Sequence, residues 1–65
     1  MSRVANRVRD LRNQKQMSLG QLSRRLGVSR LTLRAIETGL YAPSQSLAVR
    51  LARPLNHPVE DLFAV

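Results

Sequence analysis

The sequence predicts an all-α domain built from five short helices, and three observations carry that prediction. Apolar residues recur at helical spacing in successive segments: Val4, Val8 and Leu11, then Leu19, Leu22 and Leu26, then Leu33 and Ile36, then Leu47, Ala48, Leu51, Ala52 and Leu55. Serines precede three of the segments, at Ser18, Ser29 and Ser44, where a side-chain oxygen can accept from the amides of a first helical turn. Gly27 and Gly39 follow two of them, and glycine reaches the left-handed conformation that stops a helix. Residues 1–65 read as one domain, without internal repeat, linker or low-complexity tract. A chain of this length buries only about 60% of the surface its unfolded form exposes, so its stability is expected to be small.

The first helix is expected from about Val4 to Gln16, since no Gly or Pro interrupts that stretch. The second starts after Ser18. Gln21, three residues on, completes a capping box, and Met17 and Leu22 are spaced as its hydrophobic staple. Gly27 ends it. Ser29 then caps a third helix over about 29–38, with Val28 stapled to Leu33 and with Thr38 and Gly39 closing it. Helix, glycine turn and helix within about twenty residues is the helix-turn-helix layout. Ser23 lies four residues before Gly27, where the two helices approach most closely and a large side chain would clash; Val28 and Leu33 fill the angle between them.

Gly39 to Pro43 reads as an extended connector, because a residue before proline is pushed out of helix. Ser44 caps the fourth helix. Pro54 near its end lacks a backbone donor and clashes with the carbonyl four residues back, so a kink or fraying is expected from Arg53 onward. Asn56 tolerates a left-handed cap. The fifth helix follows Pro58, with Glu60 and Asp61 in its first turn, where acids suit the helix dipole. Val59, Leu62 and Phe63 close the core.

Charge divides the chain. The net charge is +7, and residues 1–38 hold nine basic residues against Asp10 and Glu37, which is the whole excess; residues 39–65 are balanced. A polyanionic partner fits a positive field concentrated on the helix-turn-helix half. No cysteine is present, and His57 is the only histidine, without a ligand cluster around it. The four acids are scattered and the serines serve as caps and packing residues, so no catalytic activity, metal or cofactor is expected. No apolar run approaches the ~20 residues of a membrane span, and no secretory signal opens the chain. A cytoplasmic protein without membrane partners is the expectation.

The chain resembles the short Cro/Xre branch of the lambda-repressor-like family from Arg7 to Phe63. The landmarks are RVRDLR at 7–12, LGVSR at 26–30, Ala35, Ile36, Glu37 and Gly39, YAPS at 41–44 and VEDLF at 59–63. The resemblance implies a compact five-helix lambda-repressor-like fold with the helix-turn-helix at helices 2 and 3. It also implies a nucleoid-associated regulator of transcription in a prokaryotic or phage setting, most often a repressor. By the same resemblance, Arg30 takes the position that most often reads a base, and Arg12 and Glu37 form an ion pair between helices 1 and 3. The chain departs from the family at Leu19, which replaces a phosphate-binding glutamine, and at Leu40, which replaces a common lysine or arginine.

A recognition helix presents its N-terminal residues to base edges in the major groove. The base-reading candidates are Arg30, Leu31, Thr32 and Arg34. An arginine can donate two hydrogen bonds to guanine O6 and N7. Leu31 falls off the buried stripe and either contacts a thymine methyl or is simply exposed; Arg34 reads a base or a phosphate. Phosphate candidates are Ser29, Arg24, Arg25, Arg7 and the start of helix 2, where amides face outward and Gly20 lets a strand approach. The neutral C-terminal third offers Leu40, Tyr41, Leu62, Phe63 and Val65 for a homodimer on double-stranded DNA; Leu62 and Phe63 serve the core first, so Leu40, Tyr41 and Val65 are the more telling surplus. The alternative function is a DNA-binding antitoxin of a toxin–antitoxin pair, which would need a toxin-binding surface.

Overall fold

The computed structural model describes residues 6–63 and contains five helices: α1 (Val8–Gln14), α2 (Leu19–Leu26), α3 (Arg30–Glu37), α4 (Gln45–Leu55) and α5 (Val59–Leu62). The three serines start helices by one mechanism. The Ser18, Ser29 and Ser44 hydroxyl oxygens accept from the amides of Gln21, Thr32 and Leu47 at 3.0, 3.0 and 3.2 Å. At α2 the box is reciprocal, because the Ser18 amide donates to Gln21 Oε1 at 2.8 Å. Each such cap is worth about 1 kcal/mol.

Four helix ends also share one mechanism. The residue in the left-handed region is Gln16 (φ 55°), Gly27 (φ 72°), Gly39 (φ 80°) and Asn56 (φ 56°) in turn. The residue after each sends its amide back five positions: Met17 to the Arg12 carbonyl, Val28 to Ser23, Leu40 to Ala35 and His57 to Ala52. This is the Schellman closure, which satisfies carbonyls that a helix end leaves open.

Two expectations are corrected here. Helix 1 is shorter than Val4–Gln16: it starts at Val8 and leaves the helical register at Gln14. The Asn6 side chain sets the start by accepting from the Val8 amide at 3.1 Å, and Gln16 turns left-handed at the other end. Val4 lies outside the described residues. Helix 4 does not fray at Pro54 but continues to Leu55. Pro54 sits in the last turn, so the donor it lacks costs one bond, to the Arg50 carbonyl. The Asn56 and His57 amides close the turn beyond it, on Arg53 and Ala52.

The core collects the predicted stripes: Val8 and Leu11 from α1, Leu22 and Leu26 from α2, Leu33 and Ile36 from α3, Leu47, Leu51 and Leu55 from α4, and Leu62 from α5. Met17, Leu19, Val28, Ala52 and Phe63 pack around it. Full burial of one such aliphatic side chain is worth about 1.5–3 kcal/mol relative to exposure. Two polar ties join the start of the fold to later elements. Asn6 Nδ2 donates to the Ile36 carbonyl at 2.8 Å, and the Arg7 amide donates to the Leu62 carbonyl at 2.9 Å.

Candidate nucleic-acid interface

The third helix is fixed from behind. Leu33 and Ile36 are fully buried. Glu37 joins them on the inner side, its side chain only 2% exposed. A carboxylate at that depth needs a partner, and Arg12 supplies it with a two-pronged bond: Nε to Oε2 at 2.7 Å and Nη2 to Oε1 at 3.0 Å. The third prong, Nη1, donates to the Met17 carbonyl at 3.0 Å. The guanidinium pKa is raised above the ordinary arginine value, first by the hydrogen bond to Glu37 and further by its charge, against the opposing effect of burial. Arg9, mostly exposed, stands 3.6 Å from the same carboxylate.

The turn between α2 and α3 is equally constrained. Ser23 is buried where the helices meet, and its hydroxyl donates to the Gly20 carbonyl at 3.0 Å. Gly27 takes the left-handed conformation that any other residue would adopt at a cost. Arg50 reaches across from α4 and donates to the Leu26 carbonyl, capping the negative end of α2 with a cation.

The outer side of α3 is different. Leu31 is 81% exposed, and Arg30 and Arg34 are exposed with no ion-pair partner among the described residues. Ser29 donates its hydroxyl to Thr32 Oγ1 at 2.9 Å, so the Thr32 hydroxyl is left with its own proton to offer a partner. Arg7, Arg24 and Arg25 are exposed as well. Arg24 and Arg25 border a shallow basic depression with Lys15, Gln16, Met17 and Gln21. The space over Gly20 is not open as the sequence suggested. The Arg30 guanidinium occupies it, with Nε and Nη2 each 3.0 Å from where a Cβ would stand.

Sequence reasoning missed three positions. Asn6 and Arg50 act on carbonyls 30 and 24 residues away, and nothing local in the sequence marks such a role. Lys15, one of the nine basic residues of the N-terminal half, follows α1 and lies beside Arg24 and Arg25. The proposed dimer set is corrected at Leu62, which is fully buried in the domain's own core and has no surface to offer. Phe63 is half-buried against that core, and Val65 lies outside the described residues. Leu40 and Tyr41 are 66% and 48% exposed. Among the described residues, no helix is long and apolar enough to cross a membrane.

The comparisons with known proteins agree with this geometry. The helix-turn-helix family profile matches residues 8–62. An uncharacterised HTH-type transcriptional regulator of Archaeoglobus fulgidus is 39% identical over 60 residues, covering 92% of this chain and 84% of that protein. One from Methanothermobacter thermautotrophicus is 40% identical over 57 residues, 86% of this chain and 83% of its own. The uncharacterised HTH-type transcriptional regulator YgzD of Bacillus subtilis is 38% identical over 60 residues, 92% of this chain and 91% of its own. The antitoxin alternative gains no support from these relatives. A buried stripe, a pinned glycine turn and an exposed basic helix, in a chain matched almost end to end, lead to one conclusion: the chain belongs to the helix-turn-helix family of DNA-binding transcriptional regulators.

Proposed function

We propose that the protein recognises a specific duplex sequence through α3 in the major groove, acts as a homodimer in the cytoplasm, and represses by occupying its operator. One observation carries the groove assignment. The inner side of α3 is bound to the domain, while on its outer side Leu31 is exposed and Arg30 and Arg34 make no ion pair among the described residues. Arg30 reads guanine, Leu31 meets a thymine methyl, and Thr32 and Arg34 complete the contact. Ser29, Arg24, Arg25 and Arg7, joined by Lys15, hold phosphates and fix the register.

Size supports the dimer. The domain measures 29 × 23 × 21 Å, less than the ~34 Å that separates successive major-groove faces. One copy therefore engages one face, and a module so small gains specific affinity by pairing. Leu40 and Tyr41, exposed beside the neutral C-terminal third, are the apolar residues available for it.

Selection of bound sites from a random duplex pool tests the reading. The expected result is a palindromic motif with half-sites about 10 base pairs apart, centre to centre. A pool that stays unenriched would reject sequence-specific recognition. Sedimentation that finds one protein per enriched duplex would reject the dimer.

A further inference from the structure

Gly20 is a glycine without a backbone reason. Gly27 and Gly39 hold left-handed angles, but Gly20 lies in the first turn of α2 with no positive φ. Within a helix, glycine is less favourable than alanine. What distinguishes the position is its neighbour. A Cβ there would stand 3.0 Å from Arg30 Nε, 3.0 Å from Nη2 and 3.2 Å from Cζ, so one edge of the guanidinium lies against the glycine. Separations of 3.0–3.2 Å are tighter than a Cβ ordinarily keeps, so the guanidinium, the end of a flexible side chain, would have to give by a few tenths of an ångström.

Electrostatics does not hold Arg30 there. Its guanidinium has no ion pair or hydrogen bond among the described residues, and the start of a helix is its positive end. The guanidinium rests in a space that a missing side chain leaves open. We propose that Gly20 is a specificity-determining position: by lacking a Cβ it sets where the Arg30 guanidinium lies, and so which base edge Arg30 meets. This rests on the reading of Arg30 as a base contact. Gly20 then acts through Arg30 and touches no base itself.

The test is Gly20→Ala, Arg30→Ala and the double variant, each measured on the selected duplex and on duplexes changed one base pair at a time. Alanine suits a helix better than glycine, so Gly20→Ala is expected to keep or raise the melting temperature. Its affinity for the selected site is expected to fall roughly tenfold, within the range of one base contact. The preference should change at the base pair that Arg30 reads and nowhere else. In the Arg30→Ala background the same substitution should have no further effect on binding. Gly20→Ala that leaves the preference intact while Arg30→Ala changes it would overturn the proposal and spare the base contact. Equal weakening on all sequences, repeated without Arg30, would overturn it in favour of direct contact between position 20 and the strand. Arg30→Ala with no change in preference would remove the base contact and the proposal together.

Discussion

The two sides of α3 obey different rules. On the inner side, Leu33, Ile36 and Glu37 are held by burial and by a two-pronged ion pair. On the outer side, Leu31 and Arg34 are exposed, and Arg30 rests on a glycine. Eight residues thus carry stability on one side and, in the proposed reading, recognition on the other. A recognition helix can vary its outer residues freely only because its inner residues fix its pose. The difference predicts that substitutions sort by side: inner ones unfold the domain, and outer ones change binding without changing stability.

The largest effect is expected at Glu37. Glu37→Ala leaves the Arg12 charge partly buried with only the Met17 carbonyl, and breaking a buried pair costs about 3–5 kcal/mol. Urea unfolding would measure it; an unchanged midpoint would show that the pair behaves as a surface one. Leu33→Ala is expected to cost about 2–5 kcal/mol by cavity formation, read in the same experiment. The tie between α1 and α3 should hold throughout the neutral pH range. Arg12 has a folded pKa raised above its unfolded value, so its contribution is complete below the unfolded value and is lost only as pH rises through the folded one.

Outer substitutions should be smaller and should leave the melting temperature alone. Arg30→Ala is expected to lose about 1–3 kcal/mol of binding at one base pair and to relax preference there. Arg24→Ala, on α2, should weaken all sequences alike and lower the slope of log affinity against log salt by about one unit. Competition binding across a salt series separates the two; identical behaviour would collapse the distinction between base and phosphate contacts. Leu31→Ala should be the mildest, under about 1 kcal/mol, the scale of a single buried methylene. Replacing thymine with uracil at the contacted position should cost the unmodified protein a similar amount and cost Leu31→Ala nothing.

The caps and turns were the most legible features of the sequence. Ser18, Ser29, Ser44 and the glycines at 27 and 39 each act locally, and local chemistry is what spacing reveals. The end of helix 1 was not legible, because Gln16 takes a left-handed turn that glycine usually marks. Fraying at Pro54 does not occur because the cost of the missing donor depends on how many residues of helix follow, and only Leu55 does. Leu62 fitted two expectations, the core and a dimer, because burial in one's own core and burial against a partner select the same residue type; the structure gives it to the core. The resting place of Arg30 and the reach of Arg50 depend on how helices meet in space, which no single stretch records.

The hydrogen bond from the Arg7 amide to the Leu62 carbonyl makes the described fold nearly a closed loop. Neighbouring ends are the condition under which a chain tolerates circular permutation. A few glycines and serines joining the two ends, with the new opening placed in the exposed connector around Tyr41 and Ala42, would leave every helix and cap whole. The order of elements along the polypeptide is then a matter of history more than of architecture. The rearranged chain would begin with α4 and finish with α3, which under the proposed reading would place whatever is fused behind it next to the DNA.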